Sequence, residues 1–401
     1  QAPTEKSPTC CDRQISGFPA LNRSLQCLLA RTVGRAEPGY PASVDVAVAG
    51  GPKISSDAVT FSLPDPDGAL EAVRLHQEIT RPRTGPEFER SATDGTWRVR
   101  VTRPNADRIE YMVELVHKDG STEVICDPGN PRRAPGPFGD KSVVEWPEYR
   151  VPRWTLVQPT DLGSTFEAQL RSRVLRAELR TIIWTAPGAA PRDRLPLLVV
   201  HDGPEYAEYS ELTRALAVAV EAGKLPTMHA ALLAPVDRDQ IYSASAAYSR
   251  AMAHEILPAL TELGHARGGR TLVGMGASLG ALAMLHLHRT NPSTLGGLFL
   301  QSGSYFRQRF DRQESGFVRF RRITRFMGRV YAEENFPEPV PTVMTCGTAE
   351  ENLYNNRAAL GALRAQGYDI ALHENRDAHN WVGWRDALDP FLINFLARLW
   401  L

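Results

Sequence analysis

Hydrophobic and polar positions alternate in two different ways along this 401-residue chain. From about residue 41 to 150 the period is two. Val44-Asp-Val-Ala-Val48, Val59-Thr-Phe-Ser-Leu63, Ala72-Val-Arg-Leu-His76, Trp97-Arg-Val-Arg-Val101, Ile109 to Val116 and Glu123-Val-Ile125 each read as a short strand. Turn signals separate them: Pro64-Asp-Pro-Asp-Gly68, Asp94-Gly95 and Lys118-Asp-Gly120. Short strands at this spacing predict a small Ig-like β-sandwich. The stretch Asp127 to Pro137 is too rich in proline and glycine for regular structure, so it should end the sandwich. Trp146-Pro-Glu-Tyr149 then reads as the start of a linker.

From about residue 151 the pattern changes. A hairpin is expected over Phe166 to Leu175 and Leu179 to Trp184. Buried strands follow at Leu195 to Val200, Ala230 to Leu233, Leu272-Val273, Gly297 to Leu300, Val340 to Thr345 and Asp369 to His373. Helical periods fall between them, at about Tyr209 to Ala222, Ala246 to Leu263, Leu279 onward and Leu353 to Gln366, with a last helix over Trp384 to Trp400. Strands alternating with helices predict the α/β class: a mostly parallel sheet covered on both faces. Residues 1–40 are rich in proline, serine, threonine and charge, and only Leu21 to Val33 looks amphipathic. The expected organisation is an N-terminal arm over 1–40, a sandwich over 41–150 and an α/β domain over 151–401.

Charge narrows the function classes. Lysine plus arginine and aspartate plus glutamate both number 46, so no excess charge points to nucleic acid or a membrane surface. No apolar run is long enough to span a bilayer. Cys10, Cys11, Cys27, Cys126 and Cys346 lack zinc-site spacing and make a poor disulfide framework. With no basic-then-apolar leader in the sequence, a reducing, cytoplasmic setting is expected. Nothing in the pattern fixes the oligomeric state.

The chemistry concentrates where a strand meets a helix. Gly276-Ala-Ser-Leu-Gly280 lies between the run at Leu272-Val273 and the helical pattern from Leu279. A Gly-x-Ser-x-Gly turn in that context is a nucleophile elbow, with Ser278 the nucleophile and the Leu279 N–H a natural oxyanion donor. A serine needs a base, and the base needs a carboxylate; in this architecture they follow in the order serine, acid, histidine. His379, in the polar loop Asp377-Ala-His-Asn-Trp381, is the candidate base. Glu350, in Cys346-Gly-Thr-Ala-Glu-Glu-Asn352, is the candidate acid, with Glu351 beside it as the alternative. His286 and His288 lie two apart on a helix and make a poor metal pair. His201 and His373 end strands and read as structural. The second oxyanion donor should come from the turn after an early strand, at Asp202 or Gly203.

Between Tyr305 and Glu333 the chain carries Arg307, Arg309, Arg312, Arg319, Arg321, Arg322, Arg325 and Arg329, interleaved with Phe306, Phe310, Phe317, Phe320 and Phe326. Two readings stay open. Arginines beside rings suit a flat, anionic, aromatic ligand. Alternatively, the segment is a cap helix with Phe inward and Arg outward. Tyr305, Arg307, Arg309 and Trp381 are the candidate substrate contacts.

Several of these stretches together resemble the enterochelin (catecholate siderophore) esterases, within the esterase-D-like α/β-hydrolases. They are His201-Asp-Gly203, Pro235-Val-Asp-Arg-Asp239, Glu255-Ile-Leu-Pro258, Gly276 to Gly280, Leu300-Gln-Ser-Gly-Ser-Tyr305, Gly347-Thr-Ala-Glu350 and His379-Asn-Trp381 with Trp384-Arg385. Asp65-Pro-Asp-Gly68, Trp97 and Asp127-Pro-Gly-Asn-Pro131 extend the resemblance to the sandwich. It implies a Ser278, Glu350, His379 triad that hydrolyses the triserine lactone of ferric enterobactin-like siderophores. No cofactor is implied, because the iron arrives with the substrate. An acyltransferase or general carboxylesterase on the same triad, or a non-catalytic siderophore-binding protein, are the alternatives.

Overall fold

The computed structural model describes residues 51–79, 83–189, 193–263 and 271–401. The arm over 1–40, the amphipathic stretch Leu21 to Val33, the strand at Val44 to Val48 and Cys10, Cys11 and Cys27 lie outside the described residues.

Two antiparallel sheets form the first layer pair. One runs, in spatial order, Lys53–Ile54, Ala58–Pro64, Thr96–Thr102 and Glu89–Arg90. The other runs Thr84–Glu87, Leu70–Gln77, Arg108–His117, Lys141–Glu145 and Arg133–Ala134, with Thr122–Ile125 also paired to Arg108–His117. Alternate residues from both sheets, among them Val59, Phe61, Val73, Leu75, Ile109 and Val113, share one buried cluster, and Phe61 packs on Tyr111 with ring centroids 4.5 Å apart. This is the expected sandwich.

The proline- and glycine-rich stretch does not end it. Lys141–Glu145 returns antiparallel to Arg108–Tyr111, with Val144 opposite Ile109. Side chains hold the irregular loop in between: the Tyr111 hydroxyl donates to Asp127 at 2.6 Å and the Asn130 amide to the Val143 carbonyl at 2.8 Å. Trp146 is core rather than linker, buried with its indole N–H on the Ser55 carbonyl at 2.9 Å.

The second layer system is an eight-stranded sheet. Its strands are β1 (Ser164–Ser172), β2 (Ala177–Thr185), β3 (Leu197–His201), β4 (His229–Leu233), β5 (Leu272–Ala277), β6 (Gly297–Gln301), β7 (Thr342–Gly347) and β8 (Ile370–Asn375). Their spatial order is β1-β2-β4-β3-β5-β6-β7-β8, with the β1–β2 and β2–β4 pairings antiparallel and the other pairings parallel. Leu197 and Val199 of β3 enter one buried cluster, Leu198 and Val200 the other, as a strand covered on both faces requires. The helices are α1 (Gly203–Tyr209), α2 (Leu212–Glu221), α3 (Arg238–Tyr242), α4 (Ala246–Ala251), α5 (Leu257–Leu263), α6 (Leu279–Thr290), α7 (Phe320–Ala332), α8 (Leu353–Ala365), α9 (Trp381–Asp386) and α10 (Ile393–Trp400). Buried residues of α3 to α8 join the first cluster; those of α1, α2, α9 and α10 join the second.

Two expected helices differ in the structure. The one at Tyr209 to Ala222 is α2, which starts only at Leu212, after Glu211 in the left-handed region at φ 50°; the short α1 before it was not expected. The one at Trp384 to Trp400 is interrupted at Asp389-Pro390, where Asp389 is extended, because a proline inside a helix removes a hydrogen bond and clashes with the preceding turn. No helix among the described residues is long and apolar enough to cross a membrane.

The Asp65-Pro-Asp-Gly68 turn earns its place in the sandwich. The buried Asp65 carboxylate accepts from the Trp97 indole at 3.1 Å and from the amides of Ala69 and Leu70 at 2.8 and 3.3 Å. Asp65→Ala strips all three donors of their acceptor, so the sandwich should lose about 2–4 kcal/mol, read from its urea unfolding transition.

Candidate active site

The site is built at the carboxyl ends of four adjacent strands. Ala277 at the end of β5 lies opposite Gln301 of β6, Gln301 opposite Thr345 of β7, and Thr345 opposite His373 of β8. The loops leaving these strands carry the candidate residues side by side.

Ser278 occupies the turn between β5 and α6 at φ 55°, ψ −121°, a strained conformation for a residue with a side chain. Gly276 explains why the turn closes: a Cβ there would meet the Gly280 backbone at 2.6 Å. The Ser278 N–H donates to the Gln301 carbonyl at 2.9 Å, and its carbonyl accepts from the Ser304 N–H at 3.1 Å. Its hydroxyl lies 3.1 Å from the Ser304 hydroxyl. Leu279 opens α6, in the first turn, where backbone N–H groups have no acceptor within their own helix.

The structure brings Glu350 and His379 together. His379 Nδ1 lies 2.8 Å from Glu350 Oε2. A carboxylate only accepts, so Nδ1 carries the hydrogen and Nε2 is left as the basic nitrogen. The Glu350 side chain is 1% exposed and that of His379 29%. The other carboxylate oxygen, Oε1, accepts from the Ser302 hydroxyl at 2.6 Å and the Gly347 N–H at 2.8 Å. Ser302 in turn accepts from the Trp384 indole at 3.0 Å, and the Trp384 ring packs edge-on against His379 at 5.1 Å. The alternative acid, Glu351, pairs with Arg83 of the sandwich at 3.2 Å.

The early turn is braced from two sides. Asp202 is in the left-handed region at φ 51°, and its buried carboxylate is gripped by Arg238, with Nη2 at 2.8 Å and Nε at 2.9 Å. Its N–H donates to the Tyr242 hydroxyl at 3.3 Å, which leaves Gly203, at the start of α1, as the donor of the two whose amide is not spent in this way. Gly203 must lack a side chain, because a Cβ would sit 2.2 Å from the Leu232 Cα. His201 is fully buried and joins this turn to the elbow. Nδ1 lies 3.0 Å from the Gly280 carbonyl, so it donates, and Nε2, 2.9 Å from the Tyr248 hydroxyl, accepts. Burial pushes His201 down to about 4 and keeps it neutral.

The candidate substrate contacts divide. Tyr305 is fully buried in the core with its hydroxyl unpartnered, so it has no surface to offer a substrate; this corrects the sequence expectation. Arg307 lies between the exposed rings of Phe310 and Tyr354, 4.3 and 4.4 Å from their centroids, and donates to Asn355 at 3.0 Å. Arg309 is exposed. Trp381 is half-buried against Tyr206, Tyr209 and Trp384. Farther along, the cap-helix pattern describes α7: Phe320, Ile323, Phe326, Met327 and Val330 face the core, while Arg321, Arg325 and Arg329 face out. His286 bonds Ser249 and His288 packs on Phe336 and Tyr368, two separate environments. Among the described residues no group of three or more His, Cys, Asp or Glu side chains is placed to hold a metal.

Ser302, Ser304 and Asn356 were not singled out from the sequence. Ser302 sits at φ 49°, and Asn356 clamps Gly303 from both sides, accepting its N–H at 3.0 Å and donating to its carbonyl at 3.1 Å. The Gln301-Ser-Gly-Ser304 stretch is the signal for the two serines; no motif marks Asn356.

No family model and no curated protein matches the sequence. Solved structures do. The ferric enterobactin esterase of Salmonella typhimurium superposes with a TM-score of 0.69 at 22% identity, over 88% of this chain and 97% of that one. The fold is that of the two-domain enterobactin esterases. The enterobactin esterase of Shigella flexneri, crystallised in the presence of enterobactin, gives 0.67 at 22% identity over 89% and 99% of the two chains. A ferulic acid esterase matches at 0.51 and 16% identity, covering 59% of this chain and 99% of its own. That shared portion is smaller than the portion shared with the enterobactin esterases.

His201 carries a pH signature. Its folded pKa is about 4 and the unfolded value about 6.5, so between these the unfolded chain binds the extra proton and stability falls as pH falls. Wild type should lose on the order of 2 kcal/mol from this one group between pH 7 and pH 5. In His201→Gln that part of the pH dependence should vanish, as urea unfolding at the two pH values would show.

Proposed function

We propose that the protein is a serine ester hydrolase that uses Ser278, His379 and Glu350. The observation that carries this reading is a serine with positive φ at a strand-to-helix elbow, with His379 bonded to the buried Glu350 on neighbouring loops of the same sheet edge. His379 Nε2 takes the Ser278 hydroxyl proton as the oxygen attacks an ester carbonyl. Glu350 holds the tautomer and offsets the imidazolium charge. The N–H groups of Leu279 and Gly203 stabilise the oxyanion, each from the first turn of its helix. The alcohol leaves with the proton from His379. Water, deprotonated by the same nitrogen, then frees the acid and restores the Ser278 hydroxyl.

For the substrate we propose the triserine lactone of a catecholate siderophore. The fold shared with enterobactin esterases over nearly their full length supports this, as does the Arg307 cation packed against the exposed rings of Phe310 and Tyr354. An iron-bound catecholate presents a flat ring with negative charge, and both features match that cation and its rings.

Turnover of p-nitrophenyl butyrate, ferric enterobactin and iron-free enterobactin by wild type and Ser278→Ala tests both statements. Cleavage of the simple ester and of enterobactin, with a loss of at least about a thousandfold in kcat in Ser278→Ala, is the expected result. Cleavage of the simple ester alone removes the siderophore assignment. Products esterified to an added alcohol instead of water would make it an acyltransferase, and equal activity in the alanine variant removes the mechanism.

A further inference from the structure

The turn that carries His379 is held by a residue of the sandwich. Arg108, on the strand Arg108–His117, is buried, with its side chain 2% exposed. Its Nη1 donates to Asn380 Oδ1 at 3.0 Å, and approaches Asp377 Oδ2 at 3.4 Å and Glu110 Oε1 at 3.0 Å. Asp377 and Asn380 flank the histidine. They also close the turn on itself: Asp377 Oδ1 accepts from the Ala378 N–H at 2.7 Å and from the Asn380 amide at 2.8 Å. Asn380 Oδ1 accepts as well from the Gly383 N–H at 2.7 Å, which caps α9. The Asp377 carbonyl takes the Ala349 N–H at 3.1 Å, one residue before Glu350.

A guanidinium in this position is costly to bury and is retained only where its acceptors are well placed. Burial alone would lower its pKa; Asp377 and Glu110 outweigh that and keep it charged. The same bonds remove the freedom of the one loop whose displacement would spoil the distance from His379 to both Ser278 and Glu350. We infer that Arg108 is a positioning residue for His379, so that the sandwich sets the geometry of the base in the hydrolase half of the molecule. This rests on the reading of His379 given above.

Other bonds between the two halves provide the control. The Tyr149 hydroxyl donates to Asp386 at 2.7 Å and accepts from Arg385 at 3.2 Å, fastening the same junction; its ring lies 6.0 Å from the Arg108 guanidinium, a contact that Tyr149→Phe keeps while it removes the hydroxyl bonds. The test compares full-length wild type, Arg108→Met, Arg108→Lys and Tyr149→Phe on p-nitrophenyl butyrate, with Ser278 labelling by a fluorophosphonate and the low-field proton signal of the His379 Nδ1–H···Glu350 bond followed by NMR. Arg108→Met should lower kcat by about 10- to 100-fold while KM moves less than about threefold, slow the labelling in step, and broaden or shift the proton signal. Arg108→Lys keeps the charge without the planar fork and should recover part of the loss. Tyr149→Phe should keep the wild-type kcat and proton signal.

Wild-type kcat and proton signal in a folded Arg108→Met protein would overturn the inference. So would an equal loss in Tyr149→Phe, since Arg108 would then be one of several fasteners between the halves. If Arg108→Met does not fold, the Arg108→Lys and Tyr149→Phe pair decides alone: a kcat loss confined to the lysine variant sustains the inference, and equal behaviour ends it. A wild type that neither turns over ester nor labels at Ser278 removes the hydrolase reading itself, a result distinct from activity that is indifferent to Arg108.

Discussion

One buried carboxylate organises the carboxyl edge of the large sheet. Glu350 is almost without solvent, so each of its oxygens must find donors inside the protein. The donors it finds belong to three different loops: Ser302 after β6, Gly347 at the end of β7 and His379 after β8. Satisfying the carboxylate therefore fixes the relative placement of those loops. The β6 loop then reaches Ser278 through Ser304. The geometry proposed for catalysis is the solution of a hydrogen-bonding problem that the core imposes whether or not substrate is bound.

The sandwich enters the same arrangement from outside. Arg376 and Asp107 exchange a backbone bond and an ion pair across the junction, Thr348 donates to the Asn105 carbonyl, and Ala349 packs on the sandwich core. These contacts fall on the loops bearing the proposed acid and base, while the elbow and the Asp202 turn are braced by Tyr242, Tyr248 and Arg238. Two separate parts of the chain thus hold the two halves of the candidate site.

What could be read from the sequence followed from local pattern. The elbow, Glu350, His379 and the inward face of α7 each show a short-range signature: glycines around a serine, polar loops after apolar strands, or Phe at helical spacing. The misses are long-range or conformational. Lys141–Glu145 was overlooked because the irregular loop before it is held by Tyr111 and Asn130, whose partners lie far off in sequence. Ser302 and Asp202 adopt left-handed backbone that their residue types do not announce. Arg108 stands just before the expected strand Ile109 to Val116 and carries no signal of its own, and Tyr305 is expected as a substrate contact; only packing separates a buried aromatic from an accessible one. Pro390 was the exception, a legible break in a helical run that the periodicity around it masked.

The parallel order of β5, β6, β7 and β8 has a consequence for how the molecule comes to be. Ser278 and His379, the proposed nucleophile and base, are separated by on the order of a hundred residues, so their meeting requires closing that length of chain, and the closure entropy is offset only when the intervening strands zip together. A nick or local unfolding that releases β8 would therefore take the proposed base away whole and leave the Ser278 hydroxyl with Ser304 beside it.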